Sequence, residues 1–468
     1  MKLFVFRCLC ILLTVGGLSA QVSRYELGLR LRQFERHLAE VVEAPLRIAA
    51  FEELDRAVQA FFGLDTKSVA KAIAAADCAL SGGKWSVAQQ YANSLQWTLD
   101  ARLLASGDDE LEGKLSIAYA MDDEGDQPLD LSIVIESPWA ASPSVIPLGE
   151  LPQEIILPLA GAPAGDHFLK WSIVRGDQPL IVREQALSIA DDLEKRLLRI
   201  DEAVDLHRRA EPATIESKTL TALSKMLKGM QRRRPAETVL PGVAILAEAE
   251  ALSAWLAKPS EQPFYGAHRP GSFRLRVPVG KQTIAVRLLV PELTTAAPLV
   301  LALHGAGGSE NLFFDGYGDG RVVALGADRG WMVVAPRLTF GSLDCAGLVD
   351  ALAKRFPVDR ERVLMVGHSM GAMQAVANAV RTPERYRGVA ALGGGGRVAP
   401  SEALKALPFF VGVGTKDFAR SGANALHRAL DRADADSTLR EFEGVEHLAI
   451  VQVALAEVFR FFDGVLAR

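Results

Sequence analysis

A serine between glycines, an aspartate and a histidine, each just after an apolar run, are the residues here with chemistry to offer. Ser369 stands in Gly367-His368-Ser369-Met370-Gly371, with Val363-Leu364-Met365-Val366 before it and the helix-forming stretch 372–380 after it. G-x-S-x-G between a strand and a helix is a nucleophile elbow. The turn is too tight for flanking side chains, the hydroxyl is pushed above the sheet, and the following helix aims its first amides at it. A serine hydroxyl attacks well only with a base to take its proton, and the base needs an acid to orient it. His447 follows the strand candidate 438–442 and precedes the last helix, and Asp417 follows the strand candidate 409–413 in Gly414-Thr415-Lys416-Asp417. Both lie past strand C-termini, the edge of an open parallel sheet where ligands collect, in the chain order serine, acid, base that accompanies this elbow. The competing residues fit less well. His427 falls mid-helix, Asp431 and Asp434 fall at that helix's end, and Gly393–Gly396 after strand 389–392 brings no acid.

Attack by a serine also needs donors for the oxyanion that develops, worth roughly 3 kcal/mol each. The backbone N–H of Met370, next to the nucleophile, is one candidate. The second belongs on the loop Leu303-His304-Gly305-Ala306-Gly307-Gly308, whose small residues allow close backbone approach. We assign Ala306 there, with Gly307 as the alternative. His304 and His368 read as structural neighbours of the site rather than as bases.

These residues need a scaffold, and the last two hundred residues supply its pattern. Strand candidates at 273–277, 283–290, 299–303, 332–335, 363–366, 389–392, 409–413 and 438–442 are separated, after the first two, mostly by helical stretches at 321–329, 347–355, 372–380 and 424–432, with a last helix over 450–466. Alternating β and α predicts a mostly parallel eight-stranded sheet with helices on both faces and an antiparallel edge at its start. The short connection between the fourth strand and Ser369 leaves no room for a large lid, so an open cleft is expected, with the N-terminal part as a candidate wall.

Upstream the pattern changes twice. Residues 21–108 read as helical, with Tyr25, Leu29, Phe34 and Leu38, then Phe51, Leu54, Val58 and Phe61, near helical spacing. Trp85, Tyr91 and Trp97 in this region fit a core better than a carbohydrate platform. Residues 109–190 shift towards period two, with Gly-, Pro- and Asp-rich turns, and predict a small β-sandwich-like domain. Residues 191–260 are helical and charged, including Arg232-Arg233-Arg234, and read as a connector to a catalytic domain over 268–468.

Composition narrows the class. At 468 residues the chain exceeds one ordinary core, and a formal charge of −5 asks for neither nucleic acid nor an anionic membrane as partner. Lys2 and Arg7, an apolar run from Leu9 to Leu18 and the small residues ending at Ala20 have the order of a signal peptide over residues 1–20. A secreted or periplasmic protein is therefore expected. The apolar run is short against the roughly 20 residues a span needs, so no membrane span is expected once it is removed. Beyond Cys8 and Cys10 only Cys78 and Cys345 remain, which make neither a disulfide framework nor a cysteine metal site.

Residues 273–468, through HGAGG, GHSMG, GTKD and EHL in that order, resemble the α/β-hydrolase superfamily, and most of all exported esterases related to polyhydroxybutyrate depolymerases, feruloyl esterases and acyl-peptidase-like hydrolases. The resemblance implies hydrolysis of an ester substrate through an acyl-serine, without metal or organic cofactor. The open cleft suits a bulky or polymer-borne ester. Two other readings stand beside it: a serine peptidase on the same fold, which would use the same residues, and a non-catalytic binding protein.

Overall fold

The computed structural model describes residues 22–121, 130–207, 213–232, 237–293, 295–339 and 341–468. The expected signal peptide at 1–20, the turn Glu124-Gly125-Asp126 and Arg233-Arg234 of the basic run lie outside them.

The chain opens with helices α1 (Arg24–Glu40), α2 (Ala44–Phe62), α3 (Thr66–Leu80) and α4 (Val87–Ser94). Ser23, Asp65 and Ser86 accept from first-turn amides of α1, α3 and α4, satisfying donors that have no partner within the helix. The inner faces of α1–α3 make no core of their own. Phe34, Leu38, Phe51 and Leu54 share one apolar cluster with Val300, Phe313, Phe459 and Phe462 of the C-terminal part.

Strands begin at Leu95, earlier than the expected boundary at 108. They are β1 (Leu95–Leu99), β2 (Leu103–Ala105), β3 (Glu110–Ile117), β4 (Leu131–Glu136), β5 (Ser144–Pro147), β6 (Gln153–Pro158), β7 (Gly165–Arg175) and β8 (Gln178–Ala190). Along β1, Leu95, Trp97 and Leu99 are buried while Gln96 and Thr98 are less so. That is a period of two over five residues, too short a signal to stand out beside the preceding helices. The order β1-β3-β6 makes one sheet and β2-β8-β7-β4-β5 the other, β2–β8 being the one parallel pair among them. Their facing side chains form a separate core in which Trp97 meets Trp171 edge-on at 6.3 Å. Trp97 and Tyr91 are thus core, while Trp85 is half-exposed. Glu26 of α1 pins this sandwich to the helices: its Oε1 accepts from buried Arg30 at 2.8 Å and from buried Arg183 of β8 at 3.3 Å.

The segment expected as a connector is more than a link. It forms α5 (Leu193–His207), α6 (Ile215–Met230) and α7 (Gly242–Ala257), and Leu197, Leu220, Leu223 and Leu246 enter the same core as Leu275, Val286 and Leu288.

The remaining elements are β9 (Gly271–Val279), β10 (Gln282–Val290), β11 (Ala297–Leu303), α8 (Arg321–Ala327), β12 (Met332–Pro336), α9 (Cys345–Leu352), β13 (Val358–His368), α10 (Met370–Arg381), β14 (Gly388–Leu392), α11 (Glu402–Lys405), β15 (Phe409–Gly414), α12 (Arg420–Asp431), β16 (Ser437–Phe442) and α13 (Ile450–Leu466). The strands make one eight-stranded sheet in the order β9-β10-β12-β11-β13-β14-β15-β16. β9–β10 and β10–β12 are antiparallel and the other pairs parallel. β11, β12, β14 and β15 are buried along their whole length, as strands covered on both faces must be. Cys78 and Cys345 are free thiols, and among the described residues no helix is long and apolar enough to cross a membrane.

Candidate active site

Ser369 sits where β13 gives way to α10, at φ 54° and ψ −114°, a conformation that side-chain-bearing residues rarely adopt. The chain has no slack there. A Cβ on Gly367 would lie 2.2 Å from the Gly371 carbonyl oxygen, and one on Gly371 would lie 1.9 Å from that of Leu303. Both glycines are therefore steric requirements of the turn. The Ser369 N–H is held by the Leu392 carbonyl of β14 at 2.9 Å.

The two other expected residues arrive from neighbouring loops. Asp417 lies three residues beyond β15 and His447 five beyond β16. Thr415 joins the loops: its N–H donates to Phe442 O at 2.9 Å, and its Oγ1 accepts from Gly444 N–H at 2.8 Å. His447 Nδ1 stands 2.8 Å from Asp417 Oδ1, and His447 Nε2 stands 3.0 Å from Ser369 Oγ. Asp417 Oδ1 also accepts from the Ala419 N–H at 2.7 Å. Asp417 and His447 are buried while Ser369 is half-buried, so the hydroxyl is the part of this chain of bonds that a substrate can reach. A carboxylate facing Nδ1 selects the tautomer with hydrogen there and leaves Nε2 free to accept the serine proton.

The loop after β11 passes beside the serine: a Cβ on Gly305 would lie 3.4 Å from that of Ser369. Gly308 N–H donates to Gly305 O at 3.2 Å, closing a four-residue turn with Gly307 at φ 76°. The N–H groups of Ala306 and Gly307 take no part in that closing bond, and Met370 starts the helix on the serine's other side. His304 and His368 occupy the supporting positions expected of them. His304 Nδ1 donates to Gly305 O at 2.7 Å and its Nε2 accepts from Leu338 N–H at 2.8 Å. His368 Nδ1 accepts from Tyr317 Oη at 2.6 Å and its Nε2 donates to His447 O at 2.8 Å. Burial holds the His368 imidazole well below the usual histidine range, so it supports His447 as a neutral ring.

Behind the site lie two buried carboxyls. Glu446 accepts from the N–H groups of Leu448 and Ala449, just before α13, and Glu35 of α1 accepts from Gly318 N–H at 3.0 Å. Burial pushes each up to about 8.

Several residues at the site escaped the sequence reading. Phe418 lies against His447 with ring centroids 4.2 Å apart and the rings tilted by 42°, and it meets Phe62 edge-on at 5.6 Å. Phe61, which falls near helical spacing with Phe51, Leu54 and Val58, is 38 % exposed while the other three are buried. No signal in the sequence marks this pair: Phe61 and Phe62 stand seven and eight residues after Leu54, places that an apolar helical stripe ordinarily fills, as the adjacent and buried Ala57 and Val58 do in the same helix.

The Esterase family model matches residues 346–437, the stretch that holds the elbow and Asp417. Among solved structures, a ferulic acid esterase is 17 % identical, covering 42 % of this chain and 98 % of its own with a TM-score of 0.36. An S-formylglutathione hydrolase from Agrobacterium tumefaciens is 18 % identical over 42 % of this chain and 94 % of its own, with a TM-score of 0.34. A thermostable carboxylesterase from a metagenomic library is 16 % identical over 43 % and 90 %, with a TM-score of 0.33. No curated protein matches the sequence.

Proposed function

We propose, for a chain whose C-terminal part is an α/β-hydrolase of the esterase kind, that it is exported and cleaves carboxylic esters through an acyl-serine on Ser369. The observation that carries this is the unbroken sequence of contacts from Ser369 Oγ to His447 Nε2 and from His447 Nδ1 to Asp417 Oδ1, at 3.0 and 2.8 Å. The match of residues 346–437 to the Esterase family supports it, and the leader-like residues 1–20 support export. In this reading His447 takes the Ser369 proton as the oxygen attacks the acyl carbon. Asp417 stabilises the imidazolium, and the N–H groups of Met370 and Ala306 receive the oxyanion. His447 then protonates the leaving alkoxide, and water releases the acid by the same route.

The test is hydrolysis of p-nitrophenyl acetate and butyrate by the full chain, beside Ser369→Ala. The variant is expected to lose at least about 10³ in kcat, with activity found in the exported fraction. Equal activity in both proteins would overturn the nucleophile, and preference for peptide amides over esters would move the site to the peptidase reading. Activity confined to the cytoplasm would overturn export.

A further inference from the structure

Single exposed apolar side chains need no explanation on a protein surface, but contiguous ones mark sites of contact. Phe61, Phe62 and Phe418 are 38, 55 and 57 % exposed, and they form one row. Phe61 meets Phe62 at 5.6 Å, Phe62 meets Phe418 at 5.6 Å, and Phe418 lies against His447 at 4.2 Å. The other end of the row reaches the loop expected to receive the oxyanion: a Cβ on Gly307 would come within 2.2 Å of the Phe61 ring. The rings therefore run from that loop to His447, the two groups that flank Ser369. Met373, one helical turn beyond Ser369, adds a further exposed apolar side chain.

Two of the three rings come from α2, outside the hydrolase sheet, and the structure fixes where they stand. Ala50, Leu54 and Ala57 anchor α2 in the shared core. Ile48 lies against the Gly444 turn before His447, and Arg24 of α1 donates to the Gly307 carbonyl. A helix whose buried face packs on a catalytic domain, and whose end leaves two phenylalanines in solvent at the nucleophile, positions those rings for something other than the core.

We propose that Phe61 and Phe62 form, with Phe418, the wall that receives the apolar substituent of the ester, so that the N-terminal helices set the substrate preference of this enzyme. The inference rests on Ser369 acting as the nucleophile of an ester hydrolase. It names the substrate class as esters carrying an extended apolar group, whose water-exposed surface is covered by the rings on binding.

The experiment compares kcat/KM for p-nitrophenyl hexanoate and acetate in the full-length wild type, Phe61→Ala, Phe62→Ala, Phe62→Leu and Ser369→Ala. The wild type is expected to favour the hexanoate. Each alanine variant should lower the hexanoate-to-acetate ratio about tenfold, through KM more than kcat, because the lost contact is made equally in ground and transition states. Phe62→Leu should recover most of that ratio, since a bulky apolar side chain is restored, whereas a merely structural role for Phe62 would move both esters together. An unchanged ratio, or an equal fall on both esters, overturns the wall. A wild type no more active than Ser369→Ala on either ester overturns the ester-hydrolase reading, and this inference with it.

Discussion

In the reaction proposed, His447 must carry its hydrogen on Nδ1, and Asp417 is the residue placed to hold it there. The Asp417 Oδ1 that faces Nδ1 is itself fixed by the Ala419 N–H, so the carboxylate accepts from two sides and cannot swing away without losing both. Asp417→Asn keeps the shape and removes the second acceptor oxygen. The Ala419 N–H and the His447 Nδ1–H both need the oxygen at Oδ1, so the amide oxygen keeps that place and what is lost is the negative charge that stabilises the imidazolium. We expect kcat on p-nitrophenyl butyrate to fall by roughly 10³–10⁴ with KM little altered; a fall below tenfold would show that the charge of Asp417 contributes little to the reaction. That Ser369, Asp417 and His447 would come together was legible in the sequence because each follows a strand end, and a strand end fixes where a side chain can reach. Phe418 directly follows one of them and was still missed, because no spacing tells whether a loop aromatic faces solvent or a histidine.

At the scale of elements, α1 and α13 meet through polar groups that an apolar stripe does not announce. Glu35 bonds Gly318 N–H, and its own backbone carbonyl accepts from Gln452 of α13 at 2.7 Å. Its other carboxyl oxygen is buried with no hydrogen-bond partner among the described residues. A carboxyl held at about 8 in the folded protein, against an ordinary 4.5, prefers to be neutral there. The sign follows. Its stabilising contribution is complete below about pH 4.5 and is lost as pH rises through about 8, because the folded state then has to bury a charge that the unfolded chain exposes. Glu35→Gln keeps a neutral side chain at every pH, so its melting temperature should decline less than that of the wild type between pH 5 and pH 9. Parallel declines would show that Glu35 does not titrate in this range. Helix α13 was legible to its ends, since Ile450, Ala454, Val458 and Phe462 repeat every four residues and are buried. The strand β1 was not, because five alternating residues directly after a helix give neither length nor a turn signal to separate them.

The whole molecule is less divisible than its pattern suggested. Changes of period divide the sequence at about 108, 190 and 260, yet among the described residues only the sandwich keeps a large core to itself. Helices α1–α3 share one core with the eight-stranded sheet and α5–α7 share another. Arg36 reaches Asp319 and Arg32 reaches the Asp315 carbonyl, each across 283 residues of chain. Such contacts are invisible to periodicity, which reads which face of an element is apolar but not what will cover it. A fragment of residues 268–468 would keep Ser369, Asp417 and His447 but expose the apolar faces that α1–α3 now share with it around Phe313 and that α5–α7 share with it around Leu275, Val286 and Leu288. Contiguous apolar surface of that kind is stable only when covered. The fragment made alone should therefore aggregate, or bind a hydrophobic dye and unfold without a sharp transition, and its p-nitrophenyl acetate activity should fall at least tenfold. Supplying residues 22–94 in trans should restore part of that loss. A monomeric fragment with cooperative unfolding and wild-type acetate kinetics would instead mean that the sheet and its own helices suffice, and that α1–α3 and α5–α7 were added to a unit already able to fold without them.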